Sequence, residues 1–262
     1  MNTIRLHIAY DGVAYHGWAE QPDVPTVQGT LQRALRKLLN DADVALQGAS
    51  RTDAGVHALG QVASFSHQTS RTVWDFVRGL NALTPDDIAI WHAEAVHERF
   101  NARHSSTGKR YRYRIWPYRF HDPLRRGQTW LVKQTLDVDV MRHAATFLVG
   151  THDFASFRAA DCQAATTIRE LTRVELEQVD DEIVVWVEGS AFLKYMVRNI
   201  VGTLVDIGTG LRAPDSIPTI LGARSRTRAG VCAPPHGLTL MEVFYEDDPW
   251  DVSPRVGRLN VY

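Results

Sequence analysis

An α+β fold is predicted, built from two ferredoxin-like (RNP-like) βαββαβ domains with mixed, mainly antiparallel sheets. Three observations predict it. Apolar periodicity switches between strand and helix spacing in the order strand, helix, strand, strand, helix, strand. The second half of the 262 residues repeats that order. Between the halves, at His104 to Gly108, lies a short Ser/Thr/Gly stretch of the kind that separates domains, so the expected domains are 1–105 and 106–262.

The first strand runs from Thr3 to Tyr10, where Ile4, Leu6, Ile8 and Tyr10 share one face. A loop, D-G-V-A-Y-H-G-W, leads to a helix from Thr26 to Asn40. Its Val27, Leu31, Ala34, Leu35 and Leu38 recur at helical spacing, and Thr26 is its expected cap. Val44 to Ala49 and Gln61 to His67 read as short strands around the polar loop S-R-T-D-A-G-V-H-A. A helix carrying Val73, Phe76, Val77 and Leu80 follows, then a strand from Ile88 to Ala95. In the second half Lys109 to Trp116 alternates as a strand, and Asp137 to Val149 is helical through Val138, Met141, Ala145 and Leu148. Ile168 to Gln178 and Ile183 to Glu188 pair as a hairpin across Asp180-Asp181. A long amphipathic helix spans Phe192 to Ile207, and Leu238 to Tyr245 is the last strand. The acidic turn Glu246-Asp247-Asp248 and the tail Val252 to Tyr262 read as a mobile extension.

Lys and Arg total 29 and Asp and Glu 30, a formal net charge of −1. That balance excludes only indiscriminate polyanion binding, because the charge is unevenly placed. Arg99 to Arg126 carries nine basic residues and a single acid, Asp122, while acidic segments such as Asp180 to Glu182 offset them. Inside it the strand K-R-Y-R-Y-R-I-W puts Lys109, Tyr111, Tyr113 and Ile115 on one face and Arg110, Arg112 and Arg114 on the other. Guanidinium groups about 7 Å apart can track phosphates, and equally can keep an exposed sheet edge soluble. Two cysteines, Cys162 and Cys232, supply neither a disulfide framework nor a CxxC zinc pair. No signal peptide and no apolar run of about 18 residues appears, so a cytoplasmic location is expected.

Chemistry concentrates in two further places. Asp53 lies between Arg51 and His57 in a Gly-containing loop that joins two strands, where a sheet presents catalytic groups. Beside an arginine its carboxylate stays ionised, as a nucleophile or general base requires; the bland reading is an Asx turn. On the late helix lies a cluster of Lys194, Tyr195, Arg198 and Asn199, in which Arg198 is flanked by Met196, Val197, Ile200 and Val201, so it points partly inward and needs an anion. No P-loop, dinucleotide fingerprint, HExxH pair or nucleophile elbow appears, and the expected chemistry uses no cofactor.

Taken together, these segments resemble the TruA-type tRNA pseudouridine synthases over nearly the whole chain. The resemblance rests on Y-D-G-V-A-Y-H-G-W (Tyr10 to Trp18), V-Q-G-T-L (Val27 to Leu31), S-R-T-D-A-G-V-H-A (Ser50 to Ala58) and K-R-Y-R-Y (Lys109 to Tyr113). H-D-F-A-S-F-R (His152 to Arg158), F-L-K-Y-M-V-R-N-I-V-G (Phe192 to Gly202) and G-L-T-L (Gly237 to Leu240) complete it. It implies isomerisation of uridine to pseudouridine at positions 38, 39 and 40 of the tRNA anticodon stem-loop, in a cleft between the two domains. Asp53 matches the family's essential aspartate and Tyr111 the tyrosine that lies against the target uracil. Arg198 matches the arginine that pairs with the aspartate, Leu238 an apolar residue packing the base, and Arg51 one that handles the flipped nucleotide. The resemblance also implies a homodimer, tRNA in basic clefts involving both subunits, and no metal or organic cofactor. Two positions depart from the family pattern: Ser50 stands where glycine commonly precedes R-T-D, and Glu20 replaces a cation after Gly17-Trp18.

Two other classes of function fit parts of this pattern. A noncatalytic RRM-like RNA-binding protein would use Tyr111 and Tyr113 as stacking platforms and have no need of Asp53. A metabolic enzyme would use the arginine strand for a small anionic substrate and show a much weaker salt dependence than a polyanion gives.

Overall fold

The structure is a computed structural model that describes residues 2–246; the expected tail falls outside the described residues. Among the described residues ten strands form one continuous sheet. The first half contributes β1 (Asn2–Tyr10), β2 (Gln47–Gly48), β3 (His57–His67) and β4 (Ile88–Val96), with α1 (Val27–Leu39) and α2 (Val73–Leu83) between them. The second contributes β5 (Ser106–Trp116), β6 (Trp130–Leu131), β7 (Gly150–Asp153), β8 (Ile168–Val179), β9 (Glu182–Gly189) and β10 (Leu238–Tyr245). Its helices are α3 (Val138–Thr146), α4 (Met196–Gly208) and α5 (Ser216–Ala223).

The strand order is β4-β1-β3-β10-β5-β9-β8-β7, with β2 also on β3 and β6 also on β5. Each half therefore has the split βαβ arrangement: β1 lies between β4 and β3, and β5 between β10 and β9. All long pairings are antiparallel; the parallel ones are the short β3–β10 and β5–β6 contacts. Through β3–β10 the last strand of the chain joins the two halves into one sheet.

One row of paired residues shows where the core sits. Ile88, Tyr10, Ala58, Leu240, Tyr111, Val187 and Val174 follow one another across seven neighbouring strands, and all are buried. Because paired residues point to the same side of a sheet, this row is a single apolar face running through both halves. The neighbouring row, Thr239, Arg112, Trp186 and Glu175, faces the other way and carries the polar side chains.

The helices form where apolar spacing and caps coincide. Thr26 accepts the Gly29 N–H at the start of α1, and Val27, Leu31, Ala34 and Leu35 are buried along one stripe. Thr72 and Asp75 make a reciprocal capping box on α2, whose Phe76 meets Phe65 of β3 edge-on at 5.2 Å. Asp137 caps α3 through the Val140 N–H. Among the described residues no helix is long and apolar enough to cross a membrane.

The structure corrects several expectations. The strand expected over Val44 to Ala49 is only Gln47–Gly48, because Gln32 takes the backbone groups of Val44 and Leu46 that a ladder would have used. The helix expected from Phe192 begins at Met196, since the backbone of Tyr195 turns left-handed with φ 63°. Three short elements, β6, β7 and α5, were not expected: two to four residues are too few for a strand alternation, and α5 has a proline in its first turn.

Candidate active site at the seam of the two halves

Asp53 sits in the loop entering β3, and that loop is braced along its length by the loop after β1. Tyr10 Oη and Thr52 Oγ1 are 2.8 Å apart, the Trp18 N–H donates to Thr52 O at 3.0 Å, and the Gly55 N–H donates to Tyr15 O at 3.2 Å. His57 closes the far end. Its Nδ1 accepts the Gly12 N–H at 3.2 Å, and its Nε2 faces the carbonyl oxygens of Gly127 and His236 at 3.0 and 3.1 Å. The carboxylate oxygen Oδ1 of Asp11 also lies 3.2 Å from Nδ1. The motif segments Tyr10 to Trp18 and Ser50 to Ala58 are thus one structural unit.

Within this unit Asp53 leaves its carboxylate free for another partner. Its backbone oxygen accepts the Val56 N–H at 3.1 Å, so the turn closes through the main chain and not through the side chain. The Asx-turn reading is overturned. Oδ2 lies 3.5 Å from Nη1 of Arg198, with the two side chains only 21% and 12% exposed. At an effective dielectric near 20 that separation corresponds to roughly 4–5 kcal/mol of attraction before desolvation. Burial lifts the Asp53 carboxyl above its ordinary value, while Arg198 and Lys194 pull it back. Arg51 plays no part in this pair: it is exposed and makes no ion pair among the described residues. The cation that serves Asp53 comes from the other half of the chain.

Arg198 stands in the first turn of α4, a helix buried almost all round, so its guanidinium must leave through the seam. Its Nε donates to Ala233 O at 2.7 Å, and its Cζ lies 4.6 Å from the centre of the Tyr195 ring. Tyr195 itself occupies the left-handed region, a conformation that costs a non-glycine residue about 1 kcal/mol or more. Lys194 Nζ lies 5.4 Å from the same ring and 2.6 Å from Asp161 Oδ2.

Tyr111 lies at the middle of the buried row, 5% exposed, with Phe192 edge-on at 5.0 Å. Its hydroxyl is 3.0 Å from Ser50 Oγ. Burial pushes the Tyr111 hydroxyl up to about 12, so it stays protonated and able to donate. Leu238 is buried beside it and registers with Tyr113, whose hydroxyl donates to Pro234 O at 2.8 Å. Asp53, Arg198, Tyr111 and Leu238 therefore come from both halves onto one side of the sheet, while Arg51 stands apart. Glu20 is exposed and makes no ion pair among the described residues.

The arginine face of β5 is largely structural. Arg110 binds Glu188 at 2.7 Å and Glu242 at 2.8 Å, and Arg114 binds Glu182 at 2.6 Å. Arg112 has no ion pair among the described residues. The basic residues of that segment left exposed and without an ion pair among the described residues are Arg99, Arg103, Arg119 and Arg126. Sequence reasoning left His57 outside the site residues although it stands in the same loop as Asp53; Tyr195 stands in the late-helix cluster with Arg198, but nothing in the sequence marks a tyrosine as left-handed.

A family model described as tRNA pseudouridine synthase matches residues 7–105 and 144–246. The chain is 47% identical to tRNA pseudouridine synthase A of Myxococcus xanthus over 250 residues, 95% of this chain and 94% of that one. It is 46% identical to the protein of the same name from Geotalea daltonii, over 94% of this chain and 100% of the relative. The chain belongs to the tRNA pseudouridine synthases, isomerases that convert uridine to pseudouridine.

Proposed function

We propose that the chain isomerises uridines 38, 39 and 40 of the tRNA anticodon stem-loop, with Asp53 as the nucleophile. The observation that carries this reading is the ion pair of Asp53 with Arg198 on the side of the sheet where Tyr111 and Leu238 are buried. A stem uridine must first leave its stack, at a cost of a few kcal/mol that phosphate contacts and stacking offset. Arg51 and the exposed Arg99, Arg103, Arg119 and Arg126 are the groups available for those contacts. Arg51 handles the extruded nucleotide.

In the site the Asp53 carboxylate forms a covalent bond to the nucleotide, and the bond between uracil N1 and the ribose C1′ breaks. The uracil turns, C5 bonds to C1′, the bond between Asp53 and the nucleotide breaks to return the carboxylate, the C5 proton leaves and N1 takes up a proton, so the product is an isomer of the substrate. Arg198 keeps Asp53 ionised against burial and against the field of the RNA phosphates. Tyr111 lies against the uracil and, with its proton retained, helps the C5 proton transfer; Leu238 packs the base and keeps it from escaping. The working unit is a cytoplasmic homodimer whose basic clefts hold tRNA against both subunits. Residues 1–105 and 106–262 are its two domains.

Incubation of the protein with unmodified tRNA transcripts, followed by pseudouridine mapping, tests this reading. Modification of the anticodon arm is expected, with its loss in Asp53→Asn. Modification elsewhere only, or full activity in Asp53→Asn, would overturn it.

A further inference from the structure

The contact between Asp53 and Arg198 does not hold itself in place. At 3.5 Å it lies beyond the usual range of a charge-assisted hydrogen bond, so it contributes little directional restraint. The other polar anchor of Arg198 is one hydrogen bond from Nε to Ala233 O. A single bond at Nε leaves the guanidinium plane free to pivot about it. What fixes the plane is the ring of Tyr195, 4.6 Å from Cζ, three residues earlier in the chain. That ring reaches the guanidinium because the Tyr195 backbone is left-handed, which turns it back against the first turn of α4. The Tyr195 hydroxyl has no hydrogen bond among the described residues, so the ring alone makes the contact.

We propose that Tyr195 is a positioning residue, whose unfavourable backbone conformation is retained because its ring holds the Arg198 guanidinium in line with Asp53. The inference rests on the reading of Asp53 as the catalytic carboxylate. The charged and titratable groups facing that carboxylate are Arg198 on α4, Lys194 before it, Asp161 on the loop that Lys194 holds, Tyr111 on β5 and Cys232 ahead of β10. Of these, Arg198 and Lys194 both lie over the Tyr195 ring, at 4.6 and 5.4 Å; Lys194 is tied to Asp161 at 2.6 Å, whereas Arg198 depends on the ring for its alignment with Asp53. Loss of the ring lets Arg198 drift, and the Asp53 carboxyl rises toward the value burial alone would give it.

Two substitutions separate this role from a structural one. Tyr195→Phe keeps the ring and is expected to retain kcat within about twofold. Tyr195→Asn removes the ring but suits the left-handed backbone, so its Tm stays level or rises while kcat falls about tenfold with KM for tRNA unchanged. Carbon-13 titration of the Asp53 carboxyl gives a readout independent of turnover: its midpoint moves up in Tyr195→Asn and not in Tyr195→Phe. An Asn variant with wild-type kcat and an unmoved midpoint overturns the proposal, as does a loss confined to KM, which would assign Tyr195 to tRNA contact. Full activity in Asp53→Asn would instead refute the catalytic reading, and the carboxyl titration would still decide whether Tyr195 sets the ion pair.

Discussion

A Cβ placed on Gly12 would lie 1.9 Å from the carbonyl oxygen of Val56. The backbone after β1 thus touches the backbone of the Asp53 loop with no room for a methyl group, and nothing at that contact is a flexible side chain able to give way. Gly12→Ala must push the two loops apart. A fall in kcat/KM of about 100-fold is expected from displacement of Asp53, together with a lower Tm, measured by single-turnover modification and thermal melting.

The pH profile carries a second prediction. Burial raises the Asp53 carboxyl above its ordinary value of 3.8, Arg198 and Lys194 opposing the rise. With Asp53 as the proposed nucleophile the reaction needs the ionised form, so kcat/KM is expected to fall as pH drops through that raised value. Arg198→Gln removes the main opposing charge, which moves the acid limb to still higher pH and lowers kcat at neutral pH by about tenfold or more.

Acid stability rests in part on a different carboxylate. Glu94 on β4 is partly buried, which alone would raise it, yet hydrogen bonds from His7 and Arg5 bring it down from 4.5 to about 2. A depressed carboxylate stabilises the fold above its unfolded value and loses that contribution as pH falls toward the folded one. Stability should therefore decline between 4.5 and about 2. Glu94→Gln should cost about 1–3 kcal/mol at neutral pH and flatten that decline, as read by denaturant titration at a series of pH values.

Arg110 and Arg126 should part company in RNA binding. Arg110 is held between Glu188 and Glu242, and Arg126 is exposed. Arg126→Gln is expected to lower the salt slope of tRNA affinity by about 1, whereas Arg110→Gln leaves the slope in place and lowers Tm. Filter binding over a range of potassium chloride distinguishes them.

Ser50 offers the mildest test. Its hydroxyl is the partner of Tyr111 Oη, so Ser50→Gly removes one hydrogen bond from a buried tyrosine. A decrease of about two- to tenfold in kcat with unchanged KM is expected, checked by steady-state kinetics on anticodon-arm transcripts.

What the sequence disclosed follows the reach of each physical signal. Periodicity located α1 with its Thr26 cap, β1, the β8–β9 hairpin and β10, because each is long enough for several repeats of its own spacing. The inward placement of Arg198 could be read from its apolar flanks, and the opposite faces of Tyr111 and Arg112 from strand alternation. Partners distant in sequence could not be read from spacing or periodicity, and the pairing of Asp53 with Arg198 was implied by the family resemblance alone. That Asp53 pairs with Arg198 and not with Arg51 depends on the meeting of segments 145 residues apart, and the carboxylates that take up Arg110 and Arg114 lie on β9 and β10. The left-handed Tyr195 is a tertiary effect with no local propensity behind it.

The position of β10 also bears on how this protein is made. During synthesis β3 and β5 emerge long before the strand that lies between them, and each presents an unsatisfied edge until then. Leu238 and the Ala233 carbonyl that anchors Arg198 emerge with that late segment. A nascent chain on the ribosome thus holds the aspartate, the arginine and the tyrosine without the frame that aligns them. The sheet becomes continuous in one late step, when β10 closes the gap, and a chain truncated before Leu238 is left with β3 and β5 without the strand that joins them.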